Sequence, residues 1–349
     1  MMPATVMLDG SVYSPADPFA TALVMNEGRV EWVGQDAGAR SIADSSMTVQ
    51  ELGGRLVTPS FALAAASTTG ADAPALLDDL AAAGYGYARL LLTDFAQELP
   101  AAHPAVAADY YFPVGSLEGG RELPAGVRGI FVSSPGELSS QLLASLAEER
   151  LQLMLVVTEA AQVGEYLAHL APLDGLTRLR ISPSLEGLTK LAQDELEQAK
   201  DLQVTLGFSG DFDRSGEAFG RALAAGAAVT LGSDPGTRPS LLGWELVNAA
   251  VNPAQTEQAV SARAAFAACT RAVYRAASAP NPFTGQLVPG APAHCALWTI
   301  TELIVQTPDS RIAAWSTDPR ARTPLLPVLA PDVPRPELVS LYRNGHKVG

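Results

Sequence analysis

The chain has 349 residues, 48% hydrophobic and 17% charged, with a formal net charge of -14. That composition fits a compact globular protein with room for one large and one small domain, and excludes a disordered chain. Its acidity sets it against phosphate backbones and anionic lipid, so neither nucleic acid nor membrane is an expected partner.

No apolar run approaches the roughly 20 residues of a membrane span. The N-terminal MMPATVMLDGSVYS has no basic region and an early Asp9, so no signal peptide is read and the cytoplasm is the expected location. Cys269 and Cys295 form neither a disulfide framework nor a CxxC pair. Both lie in apolar surroundings, where inert buried thiols are expected.

Taken in order, residues 4–58 read as β structure without helix. Thr5–Leu8 is a short strand, and Ala22–Met25 and Arg29–Val33 form a hairpin around Asn26-Glu27-Gly28, where glycine supplies a positive φ. Thr48–Leu52 and Arg55–Thr58 continue the pattern. After Pro59 the character changes to apolar runs alternating with amphipathic segments. The runs are Phe61–Ala65, Tyr87–Leu92, Asp109–Val114, Val127–Val132, Leu153–Val157, Arg178–Ile181, Gln203–Gly207 and Ala228–Leu231.

Helices are predicted at Ala73–Ala83, Glu137–Arg150, Ala161–Leu170, Leu188–Lys200 and Ser215–Ala225. Such alternation means parallel strands with crossover helices, and eight repeats fit a (β/α)8 barrel better than an open sheet. Helical patterns continue through Leu241–Ala250 and Ser261–Ala277, and Pro280-Asn281-Pro282 stops the latter. The tail returns to β patterns at His294–Ile300 and Leu338–Arg343, the latter followed by the turn signal Asn344-Gly345.

Two local motifs sharpen this layout. Gly53-Gly54-Arg55-Leu56-Val57-Thr58-Pro59-Ser60-Phe61 and Gly285-Gln286-Leu287-Val288-Pro289-Gly290-Ala291-Pro292-Ala293 resemble segments that flank the barrel in the amidohydrolase superfamily, particularly its YtcJ-like and imidazolonepropionase-like members. Leu231-Gly232-Ser233-Asp234 and the Ala-rich Ala264–Arg275 are weaker matches. The resemblance spans nearly the whole chain. It implies a TIM-type (β/α)8 barrel over 59–284 and a small composite β-sandwich built from 1–58 plus 285–349.

The resemblance also implies zinc or another divalent metal, held by Phe-x-Asp-x-His-x-His at the end of strand one, with further imidazoles after strands five and six. Residues two apart on a strand face the same way, which is why the spacing suits paired ligands. The matching positions here are Leu63, Ala65 and Ser67, then Thr158 and Pro183, none of them a substitute for imidazole. A bridging Lys or Glu has no clear counterpart, Phe131 being the nearest position, and His294 replaces the Asp that ends the Gly-x-Leu motif. His103, His169, His294 and His346 are the only histidines, and none follows a barrel strand at a ligand position.

Asp234 is the one residue of catalytic type that survives. The resemblance implies that it would ligate metal and take a proton from the attacking water, whereas Asp234-Pro235-Gly236 also reads as a plain turn. Asp94, Glu159, Asp211 and Asp213 fall at other presumed strand ends and read as solvated loop acids rather than a hard-cation site.

The expectation is therefore an amidohydrolase-like chain without a cofactor, which has lost the metal site and C–N hydrolysis. It would be kept for binding a small molecule at the barrel mouth, or for assembly with its own copies or an active homologue. The alternative is an active hydrolase of cyclic amide or N-acyl substrates with an atypical site around Asp234.

Overall fold

Eight parallel strands close on themselves in the computed structural model. They are β1 (Phe61–Thr68), β2 (Tyr85–Leu92), β3 (Ala107–Pro113), β4 (Gly129–Val132), β5 (Gln152–Val156), β6 (Ser184–Leu188), β7 (Thr205–Phe208) and β8 (Val229–Leu231 continuing as Ser233–Asp234). The first half of β8 pairs with β7, Leu206 opposite Val229. Its second half crosses to β1, with Ser233 opposite Ala65 and Asp234 opposite Ala66, and this closes the barrel. Gly232 makes the handover possible: it holds φ +87°, and a Cβ there would lie 2.8 Å from Leu246 Cδ2. The structure describes residues 3–95, 97–120, 122–210, 217–236, 239, 242–306, 315–316, 324–330 and 332–349.

The strands read as continuous apolar runs because both faces are buried, as parallel strands require. Alternate residues such as Ala88, Leu90 and Leu92 on β2 point outward into the core beneath the helices. Those helices include Ala73–Ala82, Ser140–Glu149, Gln162–Leu170, Gln193–Asp201 and Glu217–Ala224, each close to its predicted place. The single helix expected over Ser261–Ala277 is broken into Ala262–Ala268 and Arg271–Ala276. The second piece seals the base of the barrel: Tyr274 stacks on Tyr87 at 4.7 Å, and Val273 and Ala277 pack on Ala62 and Ala64.

Strand six is where sequence and structure part. Arg178–Ile181 is not a strand but the end of a helix, Gly175–Ile181, and the strand follows at Ser184–Leu188. Asp174 caps that helix by accepting from the Leu176 and Thr177 amides, an N-cap that its sequence context hid. The true strand lacks an apolar signature because Glu186 sits inside it and Gly187 adopts φ +92° at a bulge.

The termini meet beneath the barrel. A four-stranded sheet of Arg29–Gly34, Ala22–Asn26, Thr5–Leu8 and Thr48–Glu51 comes from the N-terminal region alone. It carries a helix, Asp36–Ile42, which the all-β expectation for this region did not include. The facing five-stranded sheet joins both ends of the chain in the order Ser11–Val12, Leu56–Pro59, Cys295–Thr299, Glu337–Arg343, His346–Lys347. Met7, Leu23, Met25, Val57 and Leu297 fill the space between the sheets. Among the described residues, no helix is long and apolar enough to cross a membrane.

Candidate functional site

Inward-facing side chains of a small barrel stack in layers, and catalytic groups of such folds gather at the C-terminal mouth. Here the layer nearest the mouth is apolar: Ala65, Leu91, Phe131, Met154 and Val156 form one buried cluster with the ring of Tyr111. Ala65 and Ser67 do share the inner face of β1, as their spacing requires. Ala65 is fully buried in this cluster, and the Ser67 hydroxyl donates to the Pro235 carbonyl.

The layer below is polar and centred on Arg89, which is 0% exposed. Its Nη1 lies 2.9 Å from Glu186 Oε1 across the barrel, its Nη2 donates to Ser184 Oγ at 3.3 Å, and its Nε to the Tyr111 hydroxyl at 3.3 Å. Glu186 Oε2 accepts from Ser233 Oγ at 2.6 Å, and Ser233 in turn accepts from the Gly187 amide at 3.1 Å. Gly207 leaves the space for this carboxylate, since a Cβ there would stand 2.0 Å from Glu186 Oε2.

The network runs on toward the base. Burial holds the Tyr111 phenol above its usual pKa, so it stays protonated and donates to Gln152 Oε1 at 2.6 Å. Gln152 Nε2 donates to the Ala276 carbonyl and to Ser278 Oγ beyond the sealing helix. Burial, and after it the neighbouring Asp109 carboxylate, pushes Tyr87 up as well, and its hydroxyl donates to Asp109 Oδ2 at 2.6 Å. An isolated buried charge costs several kcal/mol, so Arg89 is tolerable only because its donors find three acceptors on two other strands.

The remaining predicted positions scatter. Asp234 is buried at the end of β8; its Oδ1 accepts from Ser209 Oγ and from the Gly210 amide at 3.1 Å. Thr158 is exposed after β5, and both its amide and its hydroxyl turn to Gln162 Oε1. Pro183 does not stand at the mouth: β6 begins one residue later, so Pro183 lies at the base, a consequence of the helix that replaced the expected strand. The inward position of β6 nearest the barrel centre is Glu186. Phe131 belongs to the apolar ring.

Among the acids, Asp94 holds the Gly70 amide at 2.8 Å and the Glu159 amide is capped by Gln162. Asp211 and Asp213 lie outside the described residues. His103 pairs with Asp78, His169 is exposed on the helix Gln162–Leu170, and His346 is exposed near the C-terminus. His294 accepts from the Asn344 amide within the β-sandwich.

A divalent metal needs three or more convergent ligands, and the residues present do not fit one. The ring where ligands would converge is aliphatic and aromatic, Glu186 is engaged by Arg89 and Ser233, and Asp234 is turned to Ser209 and Gly210. Among the described residues, no group of three or more His, Cys, Asp or Glu could hold a metal ion. Sequence reasoning missed Arg89 and Glu186. The signal was a lone arginine amid Tyr85–Leu92, a strand otherwise too apolar to face solvent.

No family model matches the sequence, and no curated protein matches it. Solved structures do. N-isopropylammelide isopropylaminohydrolase from Burkholderia multivorans superposes with a TM-score of 0.66 at 16% identity, covering 99% of this chain and 98% of that one. An amidohydrolase from a Sargasso Sea environmental sample gives 0.70 at 13% identity, over 99% and 92%. Atrazine chlorohydrolase from Arthrobacter aurescens, a structure complexed with zinc, gives 0.63 at 14%, over 98% and 94%. The chain therefore has the amidohydrolase fold, a barrel of the TIM type with an added β-sheet region.

Proposed function

We propose that this amidohydrolase-fold protein has lost metal-dependent C–N hydrolysis and acts by binding or assembly. The carrying observation is the buried Arg89–Glu186 pair under the apolar ring of Ala65, Leu91, Phe131, Met154 and Val156. The guanidinium is held by Glu186, Ser184 and Tyr111 in the layer beneath the ring where metal ligands would converge, and the ring itself carries only apolar side chains around Tyr111. A small molecule at the mouth, a second copy of the chain and an active homologue are the partners consistent with it. Metal analysis of protein purified without chelator is expected to find no stoichiometric ion. Stoichiometric zinc, iron or manganese, lost together with activity on Asp234→Asn, overturns the proposal.

The contact between Ser209 Oγ and Asp234 favours a second reading, a hydrolase of cyclic amide or N-acyl substrates with an atypical site at the ends of β7 and β8. Turnover in a screen of amides, lactones and esters, abolished by Asp234→Asn, is its signature. Silence across that screen removes it.

A further inference from the structure

Arg263, Arg271 and Arg275 form a group of like charges at the base of the barrel, the end opposite Ser67 and Asp234. In a chain with 37 acidic and 23 basic residues, a carboxylate beside each would be unremarkable. Yet the charges close enough to act on Arg271 include Arg275 and Arg263, and the Tyr13 phenol beside it is held protonated by burial. Arg271 and Arg275 are also one helical turn apart on Arg271–Ala276, a spacing at which like charges repel. None of the three side chains has an ion-pair or hydrogen-bond partner among the described residues.

A small crevice of about 40 Å³, open to solvent, lies beside them, between the β-sheet region and the barrel. Arg263 and Arg271 line one side, with Tyr13, Phe266, Pro59 and Gln286 around them. Tyr13 meets Phe266 edge to face at 5.2 Å, which gives the crevice an aromatic wall. Its shape depends on the Gly-x-Leu motif. Gly285 holds φ +79°, and a Cβ there would stand 2.7 Å from Arg271 Cα, so only glycine lets this segment seat against the helix. Cations without a side-chain partner among the described residues, a phenol, a side-chain amide and an aromatic edge together match a ligand whose oxyanion head enters the crevice while its apolar body lies across the rim.

We infer that this crevice binds a small carboxylate or phosphate carried on an aromatic or similarly apolar group. The site does not depend on what the barrel mouth does. The test is isothermal titration of benzoate, phenyl phosphate and neutral benzamide at matched ionic strength. Saturable binding of benzoate or phenyl phosphate is expected, with the tighter of the two naming the head group, and none of benzamide. The double variant Arg263→Gln/Arg271→Gln should bind about tenfold or more weakly, because each lost charge-assisted bond is one of the stronger kinds. Arg40→Gln, which removes an exposed charge elsewhere, should leave binding unchanged. If the double variant fails to fold, Arg263→Gln alone, on an exposed side chain, should still weaken binding severalfold. Absence of saturation by both anions, equal affinity in the Arg263 variants, a matching loss in Arg40→Gln, or benzamide binding as tightly as benzoate overturns the assignment.

Discussion

Arg89 on β2 and Glu186 on β6 meet at 2.9 Å in the middle of the barrel, both side chains 0% exposed and 97 residues apart in sequence. The pair ties opposite walls of the barrel together, and Ser233 brings β8 into the same cluster through Glu186. A buried pair of this kind contributes little net stability against apolar replacements, yet is expensive to break on one side.

Truncating one partner should therefore be far worse than truncating both. Arg89→Met leaves the Glu186 carboxylate buried without its cation, an expected loss of about 3–5 kcal/mol. Glu186→Leu should cost a similar amount. The double variant should recover much of the loss, less roughly 1–2 kcal/mol for the stranded Ser233 hydroxyl. Denaturant midpoints of the four proteins check this, and a double variant no more stable than the worse single one contradicts it.

Gly207 faces the same carboxylate from β7. A Cβ at this position would stand 2.0 Å from Glu186 Oε2 and 3.1 Å from the Leu185 carbonyl, and the carboxylate is pinned by Arg89 and Ser233. Gly207→Ala should destabilise the fold by about 1–3 kcal/mol through overpacking. In the Glu186→Leu background the oxygen it strikes is gone, so the penalty should change. Additive losses in thermal melts would show that the two positions do not touch.

His294 supplies a pH dependence. Burial, and then the nearby Arg343 charge, push its pKa down to about 4 from the ordinary 6.5. Between those values the unfolded chain takes up a proton that the folded chain does not, so the contribution of His294 to stability is present above pH 6.5 and lost as pH falls toward 4. The melting temperature of the wild type should fall more steeply across that window than that of His294→Gln. Parallel curves would place the titration elsewhere.

Much of the architecture was legible from local pattern. The apolar runs at Phe61–Ala65 and Tyr87–Leu92 marked strands because parallel barrel strands bury both faces, and the Gly53–Phe61 and Gly285–Ala293 motifs marked where the chain passes between sheets and barrel. Strand six was illegible, because Glu186 and Gly187 break the pattern, while Leu179, inside the expected strand Arg178–Ile181, lies exposed on a helix.

By itself the sequence determined that neither Ala65 nor Ser67 is a histidine, since residue type is a local fact. Only the tertiary structure decided what fills the barrel instead. A charged residue inside an apolar strand announces that it needs a partner, but the chain carries 37 acids and nothing local says which one will serve. Closure of β8 on β1 and the inward turn of β6 bring Glu186 to Arg89, because burial forbids either charge to remain alone.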